Sequence, residues 1–179
     1  MQLSGNDASF CTNNMFSNIY IANYRMSKTA MDAATRFKFL QRVPILHEMD
    51  PSRLLKIANQ CEQKHYARDK QILYKGSSSA DIQFIVSGTI HLLTSINDRQ
   101  DSSAVVTIMH NKDIFGESGA LTSLLNLNPP FVEYLDAIAA SPVDVLVLPA
   151  SHAYLLDDSI GEGTLSHMKV AFESKREFR

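Results

Sequence analysis

The sequence predicts an α+β protein in which an antiparallel sandwich or roll of short strands lies between N-terminal and C-terminal helices. Three features of the sequence lead to this prediction. Helical spacing of apolar residues occurs at both ends, seven short strand-like runs fill the middle, and one short helical stretch interrupts those runs. The 179 residues, 45% hydrophobic and 20% charged, are typical of one globular domain or one domain with tails.

The N-terminal part is expected to hold an arm followed by helices. Residues 1–28 are rich in Asn and Ser and lack sustained periodicity, so we expect a polar, flexible arm. Residues 29–62 are expected to form the N-terminal helices. The first begins near Thr29, carries Asp32 in its first turn and ends before Pro44.

The second helix is signalled by Asp50 and Pro51, an N-cap acceptor followed by a residue preset for the first helical turn. It is expected to close near Gln60. Residues 63–149 then change to short strand-like runs separated by Gly and Ser turns. The runs cover residues 65–67, 71–74, 82–86, 89–94, 104–110, 132–140 and 143–148.

Helical patterns return in two places. Residues 114–127 open with Gly116 and carry leucines at helical spacing, which predicts a short helix inside the strand region. Residues 150–179 are expected to form C-terminal helices, the last of them from Thr164 onward. The amphipathic period of that last helix is set by Leu165, Met168, Phe172 and Lys175 or Arg176.

Composition excludes several classes of partner. Seventeen Lys and Arg against nineteen Asp and Glu give a net charge of −2, too weak a field to recruit a polyanion, so no nucleic-acid partner is expected. No apolar run reaches about 18 residues and the N-terminus has no signal-peptide pattern, so we expect no membrane span and a cytoplasmic location. Cys11 and Cys61 stand far apart in the sequence and form no CxxC pair, so we expect ordinary thiols.

Three short motifs strengthen the fold prediction. The first is an aliphatic segment before a helix, at residues 43–50. The second is a pair of turn glycines after strand-like runs, Gly76 and the glycine that ends the stretch 84–88. The third is Phe-Gly-Glu at residues 115–117. In this order the motifs resemble the cyclic-nucleotide-binding domain family. The resemblance covers about residues 37–158, two-thirds of the chain. It implies an antiparallel, jelly-roll-like β-roll of about eight strands, with helices on both sides. It also implies that the helices at residues 150–179 are a hinge and a lid.

The resemblance also implies a ligand site. In the family, the tripeptide opens a phosphate-binding cassette, which here is residues 115–127, and its Glu binds the ribose 2′-hydroxyl, a role that Glu117 matches. An Arg beyond the cassette helix pairs with the cyclic phosphate, and alignment places Glu133 or Tyr134 at that position. The candidate ligand-binding residues are Phe115, Gly116, Glu117, Ser118, Gly119, Ala120, Glu133 and Tyr134.

The cation that the family uses is missing from this part of the chain. Residues 113–168 contain no Lys or Arg and hold eight carboxylates, so the local field opposes an anion. Losing one partner of a desolvated charge pair costs about 2 to 5 kcal/mol, which is roughly 30-fold to a few thousand-fold in affinity. A cation from outside the window could restore the charge, the candidates being Arg99, Lys112, Lys169 and Arg176.

Two residues keep alternative interpretations. Glu117 is either a ligand-binding carboxylate or simply a favourable charge in the first turn of a short helix. Tyr134 is either a ligand contact or a half-buried strand residue. No nucleophile, base and orienting group can be grouped from the sequence, so no enzymatic activity is expected, and neither a metal nor a cofactor is expected.

Two functions follow from these observations. The first is a regulatory or interaction module with an impaired phosphate site, which acts through protein contacts or through a ligand other than cAMP or cGMP. The alternative is a working cAMP or cGMP sensor with a displaced cation, or a sensor of a neutral nucleoside whose ribose is held by Glu117. A protein partner is expected in the first case and a small nucleotide or nucleoside in the second.

Overall fold

The structure is a computed structural model that describes residues 30–78, 81–95, 103–126, 128, 130–157 and 163–175. Its helices and strands belong to one unit, Met31–Arg179. The predicted arm at residues 1–28 lies outside the described residues, and the division of the chain into four segments stays a prediction. The helices are α1 (Ala33–Leu40), α2 (Pro51–Gln60), α3 (Ser118–Leu124) and α4 (Thr164–Ser174), with 3₁₀ turns at Pro44–Leu46 and Ala150–Leu156.

Eight described strands form two four-stranded sheets. The strands are β1 (Glu62–Tyr66), β2 (Gln71–Leu73), β3 (Ile82–Ser87), β4 (Ile90–Ser95), β5 (Ser103–Met109), β6 (Ile114–Phe115), β7 (Asp136–Ala139) and β8 (Val143–Leu148). One sheet has the order β1-β8-β3-β6 and the other β2-β7-β4-β5, and the paired strands are antiparallel. The predicted α+β class with an antiparallel β-roll is therefore confirmed.

Strand β8 is apolar on both of its faces because both faces are covered. Val143, Val145 and Val147 point into the interior of the roll, whereas Leu146 and Leu148 pack against the helices. Successive side chains of a strand point to opposite faces, so a strand covered on both sides reads as a continuous apolar run. The helices thus close one face of the first sheet, and the second sheet closes the other.

Local capping sets the helix starts. The carboxylate of Asp50 accepts hydrogen bonds from the backbone N–H groups of Ser52 and Arg53, which confirms the predicted start of α2. Helix α1 begins later than predicted. Asp32 is its N-cap and accepts from Thr35 N at 2.7 Å, rather than lying in the first turn.

Three strand predictions need correction. The first strand begins at Glu62, directly after α2, and the two-residue strand β6 lies where a continuous helix was predicted over residues 114–127. The run at residues 132–140 is strand only over β7. Its first part instead forms a loop whose residue Glu133 exchanges two backbone hydrogen bonds with the turn at Gly76 and Ser77.

The hairpin between β3 and β4 depends on Gly88. Its φ of +90° lies in the left-handed region, and an added Cβ would come within 2.3 Å of the Pro142 carbonyl oxygen. This close approach brings the β7–β8 turn against the hairpin. Among the described residues, none of the helices has the length and apolarity needed to cross a bilayer.

Candidate ligand site in the cassette

The cassette begins where β6 ends and α3 begins. Gly116 has a φ of +76°, which lets the chain turn sharply from the strand into the helix. Glu117 directly precedes α3, and its carboxylate makes no capping hydrogen bond to that helix. A side-chain cap therefore does not explain Glu117, and the choice between a ligand-binding carboxylate and a helix-start charge stays a prediction.

Glu117 is completely buried, with 0% of its surface exposed, and is paired with a cation. One carboxylate oxygen, Oε1, accepts a hydrogen bond from the ammonium of Lys175, whose side chain is 17% exposed. The other oxygen, Oε2, has no hydrogen-bond partner among the described residues. A buried ion pair of this kind requires both partners, because removing either leaves an uncompensated charge.

Glu133 brings a second buried carboxylate to the same place. It is 4% exposed and accepts hydrogen bonds from the backbone N–H and the hydroxyl of Ser118. Burial raises the pKa of Glu133 above its ordinary value and the negative charge of Glu117 raises it further, while the Ser118 hydrogen bonds and the Lys175 charge act in the opposite direction. Its Oε1 also lacks a partner within the described part of the chain.

The loop that carries Glu133 is fixed at both ends. Glu133 N donates to the Ser77 carbonyl at 2.7 Å, and Gly76 N donates to the Glu133 carbonyl at 2.8 Å. On the other side, Phe131 N donates to the hydroxyl of Thr122 in α3 at 2.8 Å. The backbone at Glu133 is therefore fixed by hydrogen bonds on both sides.

Helix α4 covers this loop with an aromatic side chain. The Phe172 ring is fully buried, and its centroid lies 5.0 Å from that of Phe131 and 5.1 Å from that of Tyr134. Phe172 and Lys175 are three residues apart and so share one face of the helical turn. The end of α4 thus places an aromatic ring and an ammonium on the cassette together.

The structure brings together four of the eight candidate residues: Glu117, Ser118, Glu133 and Tyr134. Phe115 instead lies in the interior of the roll, and Ala120 in the core between the sheet and the helices, each with almost no exposed surface. Gly116 shapes the turn and Gly119 is half-buried in α3. The roles of all eight in ligand binding stay predictions.

The cation at the cassette is Lys175, which was not among the predicted candidates. Lys169 is exposed on α4. Lys112 lies in the turn before β6, where its backbone N–H donates to Ile85 O at 2.8 Å. Arg99 and Arg176 lie outside the described residues. A signal for Lys175 was present, since it continues the amphipathic period of α4 after Phe172.

The polar groups of the site are two carboxylates, one hydroxyl and one ammonium. Such groups hydrogen-bond a polar organic ligand. Among the described residues there is no group of three or more His, Cys, Asp or Glu side chains arranged to bind a metal ion.

Comparison with known proteins identifies the fold. A scan against models of protein families gives no match, and a search of curated protein sequences gives none. Among solved structures, the chain is similar to the regulatory domain of protein kinase A from Toxoplasma gondii with cAMP, at 20% identity and a TM-score of 0.64. The chain has the cyclic-nucleotide-binding fold. This match covers 89% of the chain and 55% of that protein.

Two other matches show how widely the cyclic-nucleotide-binding fold varies. The regulatory subunit of a cAMP-independent protein kinase A from Trypanosoma cruzi, bound to guanosine, has 21% identity and a TM-score of 0.62 over 82% of the chain and 50% of that subunit. A cyclic nucleotide-binding-like protein from Brucella abortus has 18% identity and a TM-score of 0.55 over 69% of the chain and 98% of that protein. The chain spans about half the length of the kinase subunits.

Proposed function

We propose that this chain is a non-catalytic regulatory module that binds a neutral nucleoside, rejects cyclic nucleotides, and acts on a protein partner. The observation that carries the proposal is Glu133, a second buried carboxylate close to Glu117 in the cassette. A cyclic phosphate placed beside two carboxylates meets like charge, which costs several kcal/mol at a desolvated site.

Hydrogen-bond chemistry supports the same ligand class. Glu117 Oε2 and Glu133 Oε1 are buried acceptors that lack donors among the described residues. Leaving a buried acceptor without a donor costs about 1 to 3 kcal/mol. A nucleoside has free 3′- and 5′-hydroxyl donors, whereas a 3′,5′-cyclic nucleotide has both oxygens esterified to phosphate. The nucleoside therefore offers more donors and no negative charge.

The comparisons are consistent with this proposal. The cyclic-nucleotide-binding fold is found in a Trypanosoma cruzi kinase regulatory subunit that is described as cAMP-independent and is bound to guanosine. The same fold in the Toxoplasma gondii regulatory domain is bound to cAMP. A nucleoside is thus a ligand of at least one protein with this fold, and the acidic cassette favours that ligand class here.

Lys175 favours a second candidate function, a cAMP or cGMP sensor with a displaced cation. Its ammonium is at the cassette, although it comes from α4. Its partner is Glu117, however, so an ammonium that stays on Glu117 offers a phosphate little net charge, and one that turns fully to the phosphate leaves a buried carboxylate uncompensated. Breaking one partner from a desolvated pair costs about 2 to 5 kcal/mol, so the charge available for a phosphate is largely committed.

Titration calorimetry on the full chain distinguishes these functions when each nucleoside is paired with its cyclic nucleotide. We expect guanosine, inosine or adenosine to bind at least 30-fold more tightly than cGMP or cAMP. Glu117→Gln should weaken nucleoside binding by tenfold or more, since each lost 1.4 kcal/mol is about tenfold. The exposed Glu173→Gln is the matched control. Binding of cAMP or cGMP below about 10 μM, near −7 kcal/mol, would contradict the proposal.

A further inference from the structure

The cassette is closed over its two carboxylates in this structure. Glu117 is 0% exposed and Glu133 is 4% exposed, so no ligand can contact either carboxylate until a covering group moves. The groups at the end of α4, Phe172 and Lys175, contact the cassette and its loop. Access to the site is therefore controlled by one of the elements that surround it.

The other surrounding elements are anchored by backbone hydrogen bonds. The loop at Glu133 is bonded in both directions to the turn at Gly76 and Ser77, and Phe131 N is bonded to the Thr122 hydroxyl. The backbone of Glu117 is also held, because its carbonyl accepts from Leu121 N at 2.9 Å. In contrast, the last turn of α4 reaches the cassette through side chains, the Phe172 ring and the Lys175 ammonium.

The Lys175 ammonium occupies one oxygen of the carboxylate that a ligand needs. It donates to Glu117 Oε1, and Glu117 is the residue expected to accept from ribose. An ammonium is a compact donor of up to three hydrogen bonds, so it can stand in for a hydroxyl donor of a ligand. Its positive charge also offsets part of the negative charge that Glu117 and Glu133 bring together.

We propose that Lys175 is a built-in competitor for the ligand site, so that a nucleoside binds Glu117 only by displacing Lys175 and thereby releases the end of α4 from the cassette. The inference rests on the proposed nucleoside ligand and adds its regulation. The bound state then differs from the free state in the position of α4, and α4 becomes the element that reports ligand binding to a partner. A ligand can shift this equilibrium because it has different affinities for the two states.

Hydrogen exchange of the full chain tests the direction of this change. The peptide covering α4 is measured without ligand and with saturating guanosine, inosine or adenosine, whichever binds. A competitor mechanism predicts faster exchange in the last turn of α4 when the nucleoside binds. A lid that closes onto its ligand predicts slower exchange there, and that result, or no change, would overturn the inference without affecting the proposed function.

Lys175→Met tests the residue itself, with Lys169→Met on the exposed side of the same helix as the matched control. If the form in which Lys175 contacts Glu117 is populated at 90 to 99%, removing the Lys175 ammonium strengthens nucleoside binding by about 10- to 100-fold. The variant should also exchange faster at α4 without ligand, whereas the control should behave as the wild-type chain. If Lys175→Met binds a nucleoside with unchanged or weaker affinity, Lys175 is not a competitor.

Failure of the proposed function has a different signature. If neither the wild-type chain nor Lys175→Met binds any of the three nucleosides at 1 mM or below (about −4 kcal/mol), the nucleoside proposal and the competition are both wrong. The exchange of α4 in ligand-free Lys175→Met then still reports whether Lys175 holds the helix. Should that variant fail to fold, the ligand-induced change in wild-type exchange remains the deciding measurement.

Discussion

The raised pKa of Glu133 predicts that the stability of the folded protein depends on pH. Its pKa is raised in the folded state, so the folded chain binds more protons than the unfolded chain between the ordinary Glu pKa, about 4.3, and the raised value. Stability is therefore lost as the pH rises through that window, and the full penalty is present above it. Glu133→Gln removes the penalty and can keep an acceptor for Ser118, so we expect a higher Tm at pH 8.

The size of that gain should follow the pH. Thermal unfolding at pH 8 and at pH 5 is expected to show a smaller gain at pH 5, because protonation there removes part of the penalty from the wild-type chain. The exposed Glu173→Gln controls for net charge. A gain in Tm that is equal at both pH values, or a lower Tm at pH 8, would show that burial and the charge of Glu117 do not destabilise the charged Glu133 carboxylate.

At the residue scale, the two carboxylates of the site were easier to predict from the sequence than its cation. Glu117 was identified because Phe-Gly-Glu resembles the start of a known cassette, and Glu133 or Tyr134 followed from aligning the next strands with the family's pattern. Phe115 and Ala120 were grouped with them, but the alternation of the strand and the period of the helix turn both into the core. Lys175 continues the amphipathic period of α4, but that period does not specify what the helix packs against, so its contact with Glu117 could not be predicted.

Two turn glycines allow a matched test at the scale of the element. Gly88 and Gly76 both have a left-handed φ, of +90° and +83°, but a Cβ would clash with the Pro142 carbonyl only at Gly88. Gly76→Ala should cost about 1 to 2 kcal/mol from the left-handed conformation alone. Gly88→Ala should cost clearly more. Urea denaturation measures both, and equal losses would mean that the β7–β8 turn moves away at no cost.

Element boundaries were predictable where a local signal fixes them. Helix α2 runs from Pro51 to Gln60 as predicted, because Asp50 caps it and Pro51 suits its first turn. Strand β7 was predicted to begin at Val132, since apolar alternation continues through the preceding loop. That loop is not strand because its backbone bonds to the turn at Gly76 and Ser77, a tertiary contact that the sequence pattern does not reveal.

At the scale of the whole molecule, the order of elements gave the architecture. Short strands bounded by Gly and Ser turns, with one helix inserted before the last two long runs, predicted an antiparallel roll, and both sheets have that form. The resemblance implied a lid at residues 150–179, but the contact that holds α4 on the cassette was not predictable in the same way. It depends on an ion pair between residues 58 positions apart, Glu117 and Lys175, and such pairings follow only from the assembled fold.

The most direct test of the central claim is the ratio of the Kd of cGMP to the Kd of guanosine, measured in one buffer for the wild-type chain and Glu133→Gln. The account predicts a ratio of at least 30 for the wild-type chain. It also predicts a fall of about tenfold in the variant, since removing one like charge recovers roughly 1.4 kcal/mol. A wild-type ratio below 1, or a ratio that Glu133→Gln leaves unchanged, would contradict the claim that this cassette selects against phosphate.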